Sequence, residues 1–283
     1  MTQNKILDGK RVAAEMLEGA REKVARLKEQ TGITPCLATV LVGGDPASAT
    51  YVKMKRKRCE DIGMSSLPIE MPEQTTTAEL VDKISALAAD ATVNGILLQH
   101  PVPSQIDERA AFEAIGVAKD VDGVTATGLG CMWLGLEGFG SCTPAGIMRL
   151  IAAYDIDLSG KHAVVIGRSP ILGKPMAAML LEANATVTIC HSRTVNIEEI
   201  VRTADVVVAA VGRAQFVRGE WLKDGVIVLD AGYNEGNVGD VDYDAAFEKA
   251  SLITPVPGGV GPMTIATLID QTADAALKQH GVG

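Results

Sequence analysis

The chain has 283 residues, 47% of them apolar and 22% charged, which is ordinary globular composition and enough length for two domains or one large one. A net charge of −9 argues against a general nucleic-acid or membrane-surface binder, since no global positive field is available to attract polyanions. Five cysteines without a C-x-x-C pair, and four histidines without an H-x-x-x-H pair, argue against a disulfide framework, a zinc site or a catalytic metal.

The opening MTQNKILDGKRVAAEM lacks the long apolar core of a signal peptide, and no run of about 18 apolar residues follows that would span a membrane, so a cytoplasmic chain is expected. Val12, Met16, Ala20, Val24 and Leu27 recur at helical spacing, and Gly32 supplies a stop. The run CLATVLVG (36–43) predicts a buried strand. Asp45-Pro46 then opens a helix, with Asp as cap and Pro in the first turn. Thr76 and Glu79 stand at capping-box spacing before a helix predicted over 77–94, followed by the strand GILLQ (95–99) and a helix over 107–115. The glycine-rich stretch 123–140 reads as loop or linker. A helix from Thr143-Pro144 to about Tyr154 leads into a second series of strands: HAVVI, TVTIC (186–190), VVVAAV (206–211) and VIVLD (226–230). A last helix runs from about Met263 to Gln279. Continuous apolar strands alternating with helices predict an α/β fold with an open, mostly parallel sheet covered on both faces.

Four segments carry chemistry. In DPASATYVKMKRKRCEDIG (45–63), Tyr51 and Lys55 share one helix face, so a ring and an amine can meet one flat ligand. A base lysine must be neutral part of the time, which burial and the like charges of Lys53, Arg56, Lys57 and Arg58 favour; the same pattern also suits a solvated basic face. Gln99 ends a strand before two prolines, at the carboxyl end where open α/β sheets place ligands. In KDVDGV (119–124), Asp120 or Asp122 offers a carboxylate to the N–H edge of an amino-pyrimidine, or closes an Asx turn. The stretch TPVPGGVGPMT (254–264), with Pro257, Gly258 and Gly259, is stiff and lets backbone approach a ligand.

HAVVIGRSPILGKP is strand, glycine turn and helix. Gly167 and Gly173 leave room for a phosphate bridge at the helix N-terminus, although G-x-x-x-x-x-G also fits a plain tight turn. After TVTIC comes His191-Ser192-Arg193-Thr194, with no acid for a ribose 2′-hydroxyl. Ser192, Arg193 and Arg168 instead suit a 2′-phosphate, so NADP is expected over NAD.

These segments together resemble the bifunctional methylenetetrahydrofolate dehydrogenase/methenyltetrahydrofolate cyclohydrolase family over nearly the whole chain. The carriers are DGK, VGGDPASATYVKMKRKRCEDIGM, GILLQHPVP, KDVDG, CTPAG, VVIGRSPILGKP, TVTICHSRT and PVPGGVGPMT. The resemblance implies an N-terminal α/β catalytic, folate-binding domain (1–140, completed by 264–283), a Rossmann-like NADP-binding domain (141–263), a folate cleft between them, and a homodimer. It implies Lys55 as the cyclohydrolase base, Tyr51 stacked on the folate, Gln99 tuning the lysine and Asp122 holding the pterin. Arg168, Ser169 and Ser192 would touch NADP, with Tyr233 lining it. Departures from the family pattern fall at His100, Ser141, Leu172, Tyr233 and the 123–130 stretch, and bear on substrate affinity and cofactor preference. The rival readings are a dehydrogenase without cyclohydrolase activity, another Rossmann oxidoreductase acting on a small acid, and a non-catalytic NADP or folate sensor.

Overall fold

The computed structural model describes residues 5–44 and 46–282, and the side chains of 46–51 lie outside what it describes. Contacts divide the chain into two compact units. One holds the described residues up to Ala14 together with Ser141–Ile265; the other holds Glu15–Gly140 and the described residues from Ala266 onward.

The unit built on Glu15–Gly140 carries the first three strands. Helix α1 (Gly9–Thr31) is followed by β1 (Cys36–Val42), α2 (Pro46–Asp61), β2 (Ser65–Met71), α3 (Thr77–Ala89), β3 (Gly95–Leu98), α4 (Glu108–Glu113) and α5 (Ala126–Trp133). The strands form a parallel sheet in the order β2-β1-β3. Strand β1 lies in the middle and is apolar almost throughout, because both of its faces are covered. The chain goes from β1 to one neighbour and then crosses to the other, so a topological switch point lies at the carboxyl ends of β1 and β3.

Strand β2 is not visible in the hydropathy pattern. SSLPIEM is mostly exposed or half-buried and carries Pro68, which an edge strand tolerates because one row of its N–H groups needs no partner. Helix α3 has the expected capping box, but it ends at Ala89, where Asp90 turns its carboxylate onto the Thr92 N–H (2.8 Å) and hydroxyl. The stretch read as a loop from 123 to 140 contains α5. Its cap Thr125 accepts the Gly128 N–H at 3.1 Å, enough to start a short helix despite two internal glycines.

The other unit contains α6 (Cys142–Ala153), β4 (His162–Ile166), α7 (Gly173–Glu182), β5 (Thr186–Cys190), α8 (Ile197–Arg202), β6 (Val206–Ala209), β7 (Ile227–Asp230), α9 (Tyr243–Lys249) and β8 (Leu252–Ile253), and the last helix is α10 (Val260–Gln279). All five strands are parallel, in the order β5-β4-β6-β7-β8. Val164, Ile166, Val207, Val228 and Ile253 supply one buried layer of the core. The order reverses between β4 and β6, which is the Rossmann-like switch point. Strand β8, two residues long, is too short to leave a periodic signal.

The residues of α10 from Ala266 onward pack within the unit of α1's C-terminal part, where Leu27, Ala276 and Leu277 form a small apolar cluster. Lys23 pairs there with Asp270 (2.6 Å) and Asp274 (2.8 Å). No helix among the described residues is long and apolar enough to cross a membrane.

Candidate functional site

Lys55 lies on α2 with only 9% of its surface exposed, a rare state for a lysine without a function or a partner. Its Nζ donates to Gln99 Oε1 at 3.0 Å. Gln99 follows β3, and its backbone N–H continues the sheet to the Val40 carbonyl (2.8 Å). Its side-chain NH2 donates to the His100 carbonyl (2.9 Å), which fixes the amide so that its oxygen faces the amine. The buried amine is thus held at the carboxyl edge of the three-stranded sheet by residues 44 apart in sequence. Tyr51 lies on α2 one turn before Lys55, but its side chain, like the whole of Asp45, is outside the described residues.

The cations around Lys55 act less as a block than the sequence suggests. Arg56 pairs with Glu60 (2.9 Å), and Lys57 and Arg58 both reach Asp61 (3.3 and 3.4 Å). These pairs are exposed and offset much of the local positive field.

The two aspartates of KDVDGV separate cleanly. Asp120 is 2% exposed and turned inward: its Oδ1 accepts the Val124 N–H (3.0 Å), and its Oδ2 accepts the Thr125 N–H (2.8 Å) and hydroxyl (2.7 Å). It is consumed in shaping the turn. Asp122, two residues on in the same turn, is half-buried. Gln271 of α10, buried, donates to the carbonyls of Val121 (2.7 Å) and Gly140 (3.0 Å) and so clamps the backbone next to Asp122. Its contribution was hidden in the sequence, where it is one polar residue inside an apolar helix; that interruption was the available signal.

In the other unit, the β4–α7 turn is built by two glycines. A Cβ on Gly167 (φ +134°) would stand 2.2 Å from the Ala210 carbonyl oxygen, and one on Gly173 would stand 2.2 Å from the Gly167 carbonyl oxygen. Only glycine lets the turn close so tightly against the end of β6. Ser169 Oγ accepts N–H bonds from Leu172 (3.2 Å) and Gly173 (3.3 Å), so its hydroxyl oxygen shapes the turn while its proton remains free to donate. Leu172, the cap of α7, offers no side-chain acceptor, and Ser169 takes that part instead, with Oγ accepting the Gly173 N–H and its carbonyl the Lys174 N–H (3.1 Å). After β5, His191 and Thr194 close a turn by two hydrogen bonds of 2.8 Å, which leaves Ser192 and Arg193 exposed at its tip. Arg168 is exposed on the neighbouring turn, and Gly167 N–H to Cys190 carbonyl (2.8 Å) ties the two turns together. Tyr233 is 55% exposed in the loop after β7, with its hydroxyl donating to Asn237.

In the 254–259 loop Pro257 is exposed, whereas Gly258 and Gly259 are buried. A Cβ on Gly9 would fall 1.8 Å from the Gly259 carbonyl oxygen, and the Gly258 carbonyl accepts the Lys10 N–H at 3.1 Å. The loop's glycines are thus required in part by the start of α1, the DGK segment, packing on them. Among the described residues no group of histidine, cysteine, aspartate and glutamate side chains could hold a metal, and none of the five cysteines is in a disulfide.

Residues 7–122 match the catalytic domain of tetrahydrofolate dehydrogenase/cyclohydrolase, and residues 141–280 match its NAD(P)-binding domain. The chain is 62% identical to bifunctional protein FolD 1 of Streptomyces avermitilis over 277 residues, covering 98% of this chain and 96% of the relative. The fold superposes with a TM-score of 0.94 on the crystal structure of the bifunctional FolD dehydrogenase/cyclohydrolase of Campylobacter jejuni, at 47% identity and covering 96% and 98% of the two chains. The same TM-score, at 34% identity and full coverage of both chains, relates it to the Trypanosoma brucei dehydrogenase-cyclohydrolase, whose structure is a complex with NADP and an inhibitor.

Proposed function

The chain belongs to the tetrahydrofolate dehydrogenase/cyclohydrolase family, and on that premise we propose which of its residues carry the two reactions. The protein is a bifunctional enzyme of one-carbon metabolism. It oxidises 5,10-methylenetetrahydrofolate with NADP to the methenyl form and hydrolyses that to 10-formyltetrahydrofolate. The catalytic, folate-binding part is proposed to be 1–140 with 264–283 and the NADP-binding part 141–263, with the described residues up to Ala14 packing in the unit of Ser141–Ile265.

Oxidation removes a hydride from a carbon bridging two nitrogens. Both nitrogens share the resulting cation, so no strong protein base is needed and positioning is the main contribution. NADP, when bound, supplies the hydride acceptor. The donor set at the ends of β4 and β5 fits it: exposed Arg168 and Arg193 with Ser192, and no acid at the β5 turn. Gly167 and Ser169 shape the turn for the phosphates, and Tyr233 lines the cofactor.

In hydrolysis, water adds to the cationic carbon. Lys55 takes a proton from that water and returns it to the departing nitrogen as the carbon–nitrogen bond breaks. Burying an amine favours its neutral form, which this step requires. Gln99 aims the amine, Asp122 accepts N–H bonds from the pterin edge, and Tyr51 packs on the ring plane. Pro257, Gly258 and Gly259 offer backbone to the substrate. The observation that carries the assignment is the buried Lys55 amine bonded to Gln99 at 3.0 Å. Replacing the amine by an apolar chain of similar length tests it. Lys55→Met is expected to slow hydrolysis of supplied methenyltetrahydrofolate by about 100-fold or more while NADP-dependent oxidation is partly retained; full hydrolysis in that variant refutes the role. The assembly is proposed to be a cytoplasmic homodimer, as the family resemblance implies, and sedimentation velocity on the purified protein checks its mass.

A further inference from the structure

Two buried carboxylates that neither reaction uses lie at the carboxyl edge of the five-stranded sheet. Asp240, fully buried before α9, accepts the N–H groups of three successive residues: Val211 (2.6 Å) and Gly212 (2.8 Å) on Oδ2, and Arg213 (2.9 Å) on Oδ1. Asn234 adds its side-chain amide at 3.1 Å. Asp230, at the end of β7 and 4% exposed, accepts the N–H groups of Gly232 (2.9 Å), Asp240 (3.0 Å) and Val241 (2.9 Å). Its own N–H donates to Thr254 Oγ1 (2.7 Å), at the start of the proline- and glycine-rich loop. The fit admits no extra atom: a Cβ on Gly232 would stand 2.2 Å from the Asp240 carboxyl carbon, and one on Gly239 would stand 2.0 Å from Asp230 Oδ2.

The turn wrapped around Asp240 follows β6 directly, and Ala210, just before it, is the residue against which Gly167 packs. The 211–213 turn and the glycine turn after β4 therefore flank the switch point where a dinucleotide lies in this fold. Three successive N–H groups aimed at one point would ordinarily make an anion nest. Here Asp240 fills that nest from inside, so the turn has no N–H donors left for phosphate and faces the crevice by shape.

We infer that Asp240 is a positioning residue for NADP: it fixes the 211–213 turn as one wall of the dinucleotide crevice and, through Asn234 and Gly232, fixes the loop that carries Tyr233. The phosphate bridge is thereby left to the β4–α7 turn, with the 2′-phosphate at Ser192 and Arg193 after β5. The inference rests on the NADP assignment above. Its test is Asp240→Asn, which keeps the volume but turns an NH2 group toward N–H donors. The dissociation constant for NADP, measured by titration calorimetry, and the KM for NADP are both expected to rise about 10-fold or more, the loss of a bond or two to a charged acceptor. The kcat at saturating NADP should stay within about threefold, and hydrolysis of methenyltetrahydrofolate assayed without NADP should not change. An unchanged NADP affinity, or a parallel loss of both activities, overturns the positioning role. Should Asp240→Asn fail to fold, Asn234→Ala removes one donor from the same carboxylate at a half-buried position. About a threefold weaker NADP affinity is then expected from a neutral bond of modest net worth, and unaltered affinity overturns the inference. Failure of the cofactor assignment itself looks different, because the wild-type protein would then not bind NADP at all.

Discussion

Arg193 and Ser192 stand at the tip of a turn that His191 and Thr194 close, so their exposure is imposed by the backbone rather than left to chance. A guanidinium there pays off only with a 2′-phosphate, since a ribose hydroxyl gains little from a cation and more from a carboxylate. Arg193→Glu is therefore expected to raise the KM for NADP about 100-fold while that for NAD changes only a few-fold, as reversing one charge beside a dianion costs roughly 3 kcal/mol. Parallel measurement of both KM values decides it: an unaltered NADP/NAD ratio would move the 2′-phosphate elsewhere. NADP as the cofactor was legible because it depends on residue type at one strand end. The sorting of Asp120 from Asp122 was not, since both sit in one turn and only the hydrogen bonds of Asp120 reveal that it is used internally. The meeting of Lys55 with Gln99 was likewise out of reach of spacing arguments, and the family resemblance supplied it.

At the scale of elements, the buried layers of β1, β4, β6 and β7 announce themselves as apolar runs, and the capping box of α3 fixes its start. Strand β2 and helix α5 escaped because their stability comes from neighbours: β2 from pairing along all of β1, and α5 from its Thr125 cap. The loop after β7 escaped for the same reason. GYNEGNVGD reads as a polar turn, yet its ends are locked by Asp230 and Asp240. Burial pushes the Asp230 carboxyl up to about 6, with its three N–H donors opposing and the Asp240 charge assisting. Its folded value thus lies above the ordinary 3.8, so the folded state takes up a proton where the unfolded chain does not. Stability from this group is fully present below about pH 4 and is lost as pH rises through 6. Relative to Asp230→Asn, the wild type is expected to gain roughly 1 kcal/mol between pH 7 and 5, and about 2 by pH 4. Urea melts across that range test the sign; a difference that is flat or falls with acidification contradicts it.

On the scale of the whole molecule, each unit is built on a parallel sheet with one switch point, and the proposal assigns one half of the chemistry to each: the Lys55 amine to one, the dinucleotide turn to the other. The alternation of strands and helices predicted an open, mostly parallel sheet, and the family resemblance supplied its division between two domains. The pattern could not show that the first residues pack beside Gly258 and Gly259, since that depends on glycine-to-backbone contact between distant segments. The account as a whole requires one chain to make a cation and to consume it with a buried amine. The most direct test follows NADPH and the methenyl intermediate together in a single reaction started from methylenetetrahydrofolate and NADP. The wild type should release NADPH with little methenyl build-up, whereas Lys55→Met should accumulate methenyl nearly mole for mole with NADPH. A wild type that accumulates the intermediate in step with NADPH, or a variant that clears it as fast as the wild type, would contradict the assignment.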